Sequence, residues 1–307
     1  MKSIFLPLAL IISFGFSTGT SLNKNEIAKY WQNPSNEKAY VISFCRNYAP
    51  EYVSLVSSNY SSPNSWSIIV DGVSTKANFT GTWEEIIDQF ESIIHETTHG
   101  KNSFSGIYVD ENHFYELTGE DAFNSQIFFK SELISEYLPV DAKDKIFRFS
   151  YIKKNEGQVS NVKGLFGLMD EYSAYQNGCT AALIAYETAL NENDTDLAVK
   201  LFKEALGTYF AYYEFNAFIG AYLKYAKIKN PNAYQKLMNN KTLRKAYTEN
   251  TKRFENSLQK IYAAPTKLKT NYKLVEYYFT NNEKLYVEYA KSCMNSFEIE
   301  LSSFKLN

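Results

Sequence analysis

The chain has 307 residues, of which 45% are hydrophobic, 16% aromatic and 21% charged. That is ample apolar material for one large domain or two ordinary ones, and it excludes disordered, collagenous and coiled-coil chains. Lys and Arg total 32 against 34 Asp and Glu, a formal charge of −2 without a basic block, so no nucleic-acid partner is expected.

At the N-terminus, Lys2 precedes a 13-residue apolar run from Ile4 to Phe16, and the small residues Ser17 to Ser21 follow. This order predicts a secretory signal peptide over residues 1–21, and hence a secreted or periplasmic protein. The run is shorter than the roughly 18 residues that cross a bilayer, and no later run reaches that length, so no stable span is expected after cleavage. No cysteine lies there to carry a lipid anchor. Export would permit a disulfide between two of Cys45, Cys179 and Cys293, although the odd count leaves one over.

Beyond the signal, Asn23 to Phe44 combines a short helical stretch with an apolar run, and a polar loop follows over Ser57 to Ser65. Trp66 to Val70, Asp71-Gly72 and Val73 to Thr80 read as a hairpin with an Asp-Gly turn. The best-marked helix comes next. Thr82 and Glu85 form a capping box, and Trp83, Ile86, Ile87, Phe90, Ile93 and Ile94 make a core face, with Gly100 as the expected stop. Phe104 to Leu117 alternates as a second hairpin with Asp110-Glu111-Asn112 at its tip. Helical pattern returns from Glu120 to Tyr137 and ends before Pro139. After a less regular stretch, Gly164 to the C-terminus reads as helix, broken at Asn191 to Asp194, at Asn230-Pro231-Asn232 and at Pro265. One of these helices carries Tyr209, Phe210, Tyr212, Tyr213, Phe215, Phe218, Tyr222 and Tyr225, which we read as a core face rather than a stacking surface.

The capped helix ends in His95-Glu96-Thr97-Thr98-His99. Two histidines four apart lie on one helical face, so both imidazoles can reach a single Zn²⁺. Glu96 projects beside them, where it can take a proton from a metal-activated water. The chain has only three histidines, and two of them stand in this motif.

On these residues the sequence resembles the zincin metallopeptidases, whose signature is H-E-x-x-H on an active-site helix beside a small sheet. The likeness covers Thr82 to Gly100 and one later segment. The metzincin branch would need a glycine and a histidine where Asn102 and Ser105 stand, which leaves the gluzincins, whose third ligand is a glutamate on a later helix. In Gly164 to Gly178, Glu171 has Gly167, Leu168, Ala174 and Tyr175 one turn away, so its carboxylate is costly to bury unless it is paired or metal-bound. Glycines at 164, 167 and 178 would let another helix come close. Glu171-Tyr172-x-Ala174-Tyr175 is also similar to the context of third-ligand glutamates in several gluzincin families. It lies 72 residues past His99, and the Asp usual four residues later is replaced by Tyr175. Glu120 and His113 stand as alternative third ligands. For the oxyanion of the reaction, His113 and Tyr175 are the candidate donors, with Tyr151 or Tyr172 behind them.

The expected fold is α+β and predominantly helical. A zincin-like α/β subdomain over 22–163 would carry the motif, and a helical subdomain over 164–307 would carry the third ligand. The expected function is a secreted zinc peptidase of gluzincin type acting on a peptide or protein substrate, with Glu96 as general base. The alternative is a secreted helical binding protein with a structural or vestigial metal. The missing Asp and the aromatic C-terminal half favour that alternative; the carboxylate between the histidines favours catalysis.

Overall fold

The computed structural model describes residues 37–57, 83–107, 112–116, 119–123, 127–154, 159–267 and 281–306. The signal segment, the hairpin expected over Trp66 to Thr80 and the capping residue Thr82 lie outside them. In chain order, α1 (Glu37–Tyr48), a 3-10 turn and α2 (Val53–Ser57) lead to α3 (Trp83–Ile107). The hairpin strands β1 (Asn112–Glu116) and β2 (Gly119–Phe123) follow. A 3-10 segment (Ser131–Tyr137), α4 (Ala142–Lys145), a second 3-10 segment (Phe149–Ile152) and α5 (Val159–Val162) make the irregular middle. The rest is helix: α6 (Leu165–Asn191), α7 (Thr195–Lys229), α8 (Pro231–Asn239), α9 (Lys241–Lys267), α10 (Asn281–Asn295) and α11 (Glu298–Phe304). None of the described helices is long and apolar enough to cross a membrane.

The fold is predominantly helical, as expected. Among the described residues, the mixed character expected of the N-terminal half amounts to one two-stranded antiparallel sheet, paired from Asn112↔Phe123 to Glu116↔Gly119. That hairpin starts eight residues later and ends six residues later than its pattern suggested, because Phe104 to Ile107 continue α3. Short apolar runs do not distinguish strand from helix by period alone. Glu120 to Phe123 belong to β2, and Ser131 to Tyr137 form a 3-10 segment, so no α-helix spans 120–137. Gly100 does not stop α3 either. Asn102, one turn past His99, is buried and hydrogen-bonded to α6, and that tertiary contact outweighs the weak local preference for a stop.

In the C-terminal half, the breaks fall where the polar clusters placed them. Asn193 takes a left-handed φ of 62°, and the Asp194 side chain accepts from Leu197 N at 3.0 Å to cap α7. Asn230 accepts from Ala233 N at 3.2 Å, with Pro231 opening α8. A break not read from the sequence occurs at Asn240, which caps α9 through Leu243 N at 3.0 Å. The break expected at Pro265 is absent there, since α9 runs to Lys267.

At the centre, α6 and α7 form a helical hairpin joined by three residues, buried on most sides. Both read as apolar nearly all round, which is how a helix enclosed by others must read. Tyr209, Tyr212, Tyr213, Phe215, Phe218 and Tyr222 are buried, so the aromatic helix is core. A polar chain ties three helices through it. Tyr247 of α9 donates to Asn216 Oδ1 of α7 at 2.6 Å, and Asn216 Nδ2 donates to the Tyr172 hydroxyl of α6 at 3.1 Å. Against α6 packs α3, presenting Ile86, Ile87, Phe90, Ile93 and Ile94, all buried. One apolar cluster runs from Val41 to Phe304 and crosses the expected boundary at 163/164. The three cysteines are free and buried in it, so no disulfide forms.

Candidate metal centre

The site lies where α3 crosses α6. The start of α6 is fixed by Gly164, which holds a φ of +59° with its α-carbon so close to a loop that a Cβ would lie 2.4 Å from the Phe129 carbonyl oxygen. Only glycine meets both conditions. Lower on the same helix, a Cβ at Gly178 would come within 2.8 Å of the Glu91 carboxylate of α3, so this glycine lets the two helices approach. The first two turns of α6 thereby bring Asp170 and Glu171 against His95 and His99.

His99 Nδ1 donates to Asp170 Oδ2 at 2.9 Å, and Asn102 Nδ2 donates to Asp170 Oδ1 at 2.6 Å. With the proton on Nδ1, the lone pair of His99 is on Nε2. That atom faces His95 Nε2 at 3.1 Å and Glu171 Oε2 at 3.4 Å. One ligand atom from each of His95, His99 and Glu171 lies within 4.8 Å of the others. Tetrahedral Zn²⁺ with bonds near 2.05 Å sets its donors about 3.3 Å apart, so both measured separations match an edge of that tetrahedron. Glu171 Oε2 is buried and makes no hydrogen bond, its charged neighbour being His99 Nε2 at 3.4 Å, and a cation would satisfy it. The donor set fits zinc.

The electrostatics divide the two histidines. Burial, reinforced by His99 and Arg148, holds His95 well below the ordinary histidine range. Burial also opposes charge on His99, but the carboxylates of Asp170 and Glu171 overcome it and hold the imidazole well above that range. Glu96 is the exposed member of the motif. Partial desolvation raises its carboxyl, with His99 opposing and Glu171 and Asp170 adding to the rise.

Tyr175, one turn past Glu171, meets His95 in a T-shaped ring contact, 4.6 Å between centroids and 78° between planes. Its hydroxyl lies 3.0 Å from that of Tyr151, so the two phenols form a pair. Tyr172 points away into the α6–α7–α9 chain and takes no part. His113 sits on β1 opposite Ala122, and Glu120 on β2 opposite Tyr115. Among the described residues, the donor group that closes is the one with Glu171.

Two features escaped the sequence reading. The carboxylate behind a ligand histidine is Asp170, immediately before Glu171 rather than four residues after it. Its helical neighbours Phe166, Gly167, Ser173 and Ala174 are as apolar or small as those that singled out Glu171, so the same burial argument would have found it. The second is Arg148, whose guanidinium carbon lies 4.3 Å from the centre of the Tyr175 ring. No local pattern announces a contact between two residues 27 apart in sequence, the second of them on α6. No family model, curated protein or solved structure matches this chain.

Proposed function

We propose that this chain is an exported zinc-dependent peptidase of gluzincin type, with the motif helix and hairpin as its zincin-like part. The observation that carries the proposal is the convergence of His95, His99 and Glu171 donor atoms within 4.8 Å, with Glu96 exposed beside them. The order of Lys2, apolar run and small residues supports export.

His95 Nε2, His99 Nε2 and a Glu171 oxygen would hold the zinc, three protein ligands being the complement that leaves a position open in catalytic sites. When bound, zinc lowers the pKa of water and polarises a carbonyl. Glu96 takes the proton of the attacking water and returns it to the leaving amine, a role suited to a carboxyl whose pKa is raised. Asp170 keeps the His99 proton on Nδ1. Tyr175 donates to the oxygen that becomes negative as the carbonyl is attacked, and His113, on the strand that lies against α3 and α6, is the second candidate. An extended peptide would lie along the hairpin edge.

Two observations weigh against a binding protein with a structural metal. The aromatic rings of α7 are mostly core, and Asp170 supplies the partner that seemed missing. The test is the mature protein beside two variants. Wild type is expected to hold about one zinc per chain and Glu171→Ala to lose it. Glu96→Gln should keep the metal while peptide hydrolysis falls about 10²- to 10⁴-fold. Near-normal cleavage by Glu96→Gln would rule out the mechanism.

A further inference from the structure

Behind the phenol pair lies a buried ion pair that the mechanism above does not use. Arg148 Nη1 donates to Glu214 Oε2 at 2.9 Å, and Nη2 donates to the Gly207 carbonyl at 2.9 Å. The second oxygen of Glu214 accepts from the backbone N–H of Phe147 at 2.7 Å and of Arg148 at 3.3 Å. Arg148 is 6% exposed and Glu214 1%. Taking two charges out of water is expensive, and an apolar pair of similar volume is often as stable or more so. What distinguishes this pair is what it touches. The guanidinium lies on the Tyr175 ring, which also meets the rings of His95 at 4.6 Å, Phe215 at 5.5 Å and Tyr151 at 6.3 Å. A rigid fork held by α7 at two points fixes the ring plane, and the ring plane fixes where the hydroxyl sits.

Tyr151 completes the arrangement. It lies in the 3-10 segment that directly follows Arg148, so the residue that clamps Tyr175 also anchors the segment presenting its partner. One phenol borders His95, and the other is close enough to Glu171 for that carboxylate, after burial, to hold it up. Two hydroxyls 3.0 Å apart can donate one proton to each other and one outward.

We propose that the Arg148–Glu214 pair is a positioning device, which holds Tyr151 and Tyr175 as a single two-phenol donor for the oxyanion formed beside His95, His99 and Glu171. The inference rests on the peptidase reading for its reaction but can be tested without hydrolysis. The probe is methylphosphonate, a small tetrahedral anion, titrated calorimetrically into the zinc-loaded full-length protein, with planar acetate as control.

Wild type is expected to bind methylphosphonate more tightly than acetate. Tyr151→Phe, Tyr175→Phe and the apolar replacement Arg148→Met/Glu214→Leu should each weaken methylphosphonate by about tenfold. Zinc affinity should stay within about twofold throughout, and adding Tyr175→Phe to the apolar replacement should cost little more, because coupled groups do not add. With a cleaved peptide in hand, the apolar replacement should lower kcat about 10- to 100-fold and leave KM nearly unchanged. Wild-type phosphonate affinity in the apolar replacement would overturn the proposal, as would loss of zinc in step with phosphonate, or a wild type that prefers acetate. Should that variant not fold, the two hydroxyl deletions decide alone, since fully additive losses would mean the phenols do not act as one donor. If no peptide is cleaved while the phosphonate pattern holds, the peptidase reading fails and the positioning role stands.

Discussion

Asp170 is the residue on which the candidate metal centre turns, although it is not one of the three donors. Its two oxygens are taken by His99 Nδ1 and Asn102 Nδ2, and it is 3% exposed. The hydrogen bond to Nδ1 fixes both the tautomer and the ring plane of His99, and such outer partners typically carry one to two decades of metal affinity. Asp170→Ala is therefore expected to weaken zinc about 10- to 100-fold, measured by competition with a chromophoric chelator. Asn102→Ala, which leaves the carboxylate on His99 and removes only its second partner, should weaken zinc less. Equal affinity in Asp170→Ala and wild type would mean that packing alone orients His99. Asn102, which stands where the metzincin pattern would need a glycine, supports the carboxylate behind His99.

Between elements, the packing of α3 against α7 contains a second acidic group far less well satisfied than the first. Glu204 of α7 is pushed up to about 9, chiefly by burial and then by Asp88 and Glu91 of α3, with Lys200 opposing. Lys200 pairs with Asp88, and one buried oxygen of Glu204 has no hydrogen-bond partner. The folded state therefore keeps a proton that the unfolded chain releases near pH 4.5, so stability falls as pH rises from there toward 9. Glu204→Gln removes that dependence and is expected to stabilise the protein at pH 8 by about 1–3 kcal/mol, discounted from the full shift for partial solvation. Urea melts of both forms at pH 5 and pH 8 check it. A variant no more stable than wild type at pH 8 would mean that Glu204 ionises without cost in the fold. Elements with strong local marks were legible in the sequence: the core face of α3, the capped breaks at Asp194 and Asn230, and the motif histidines on one helical face. Those decided by contacts between distant segments were not. Gly100 is overridden by the Asn102–Asp170 bond, Phe104 to Ile107 join a helix that a short apolar run does not specify, and Arg148 meets Glu214 across 66 residues.

Across the whole molecule, the donor atoms come from two helices that the rest of the fold encloses in one apolar cluster. A metal held by His95 and His99 of α3 and Glu171 of α6 would then cross-link two helices that this cluster packs together. The unfolded chain separates Glu171 from His99 by 72 residues and offers no equivalent three-ligand site, so binding energy at the site is folding energy. Free zinc at 100 to 1,000 times its dissociation constant would stabilise the folded state by about 2.7–4.1 kcal/mol. For a domain of this size that corresponds to a rise in Tm of roughly 4–7 °C. Thermal melts with zinc and with excess chelator should show this difference in wild type and lose most of it in Glu171→Ala. Glu96→Gln, which removes no ligand, should keep it. A wild type that binds zinc stoichiometrically yet melts at the same temperature with and without chelator would place the metal outside the α3–α6 crossing.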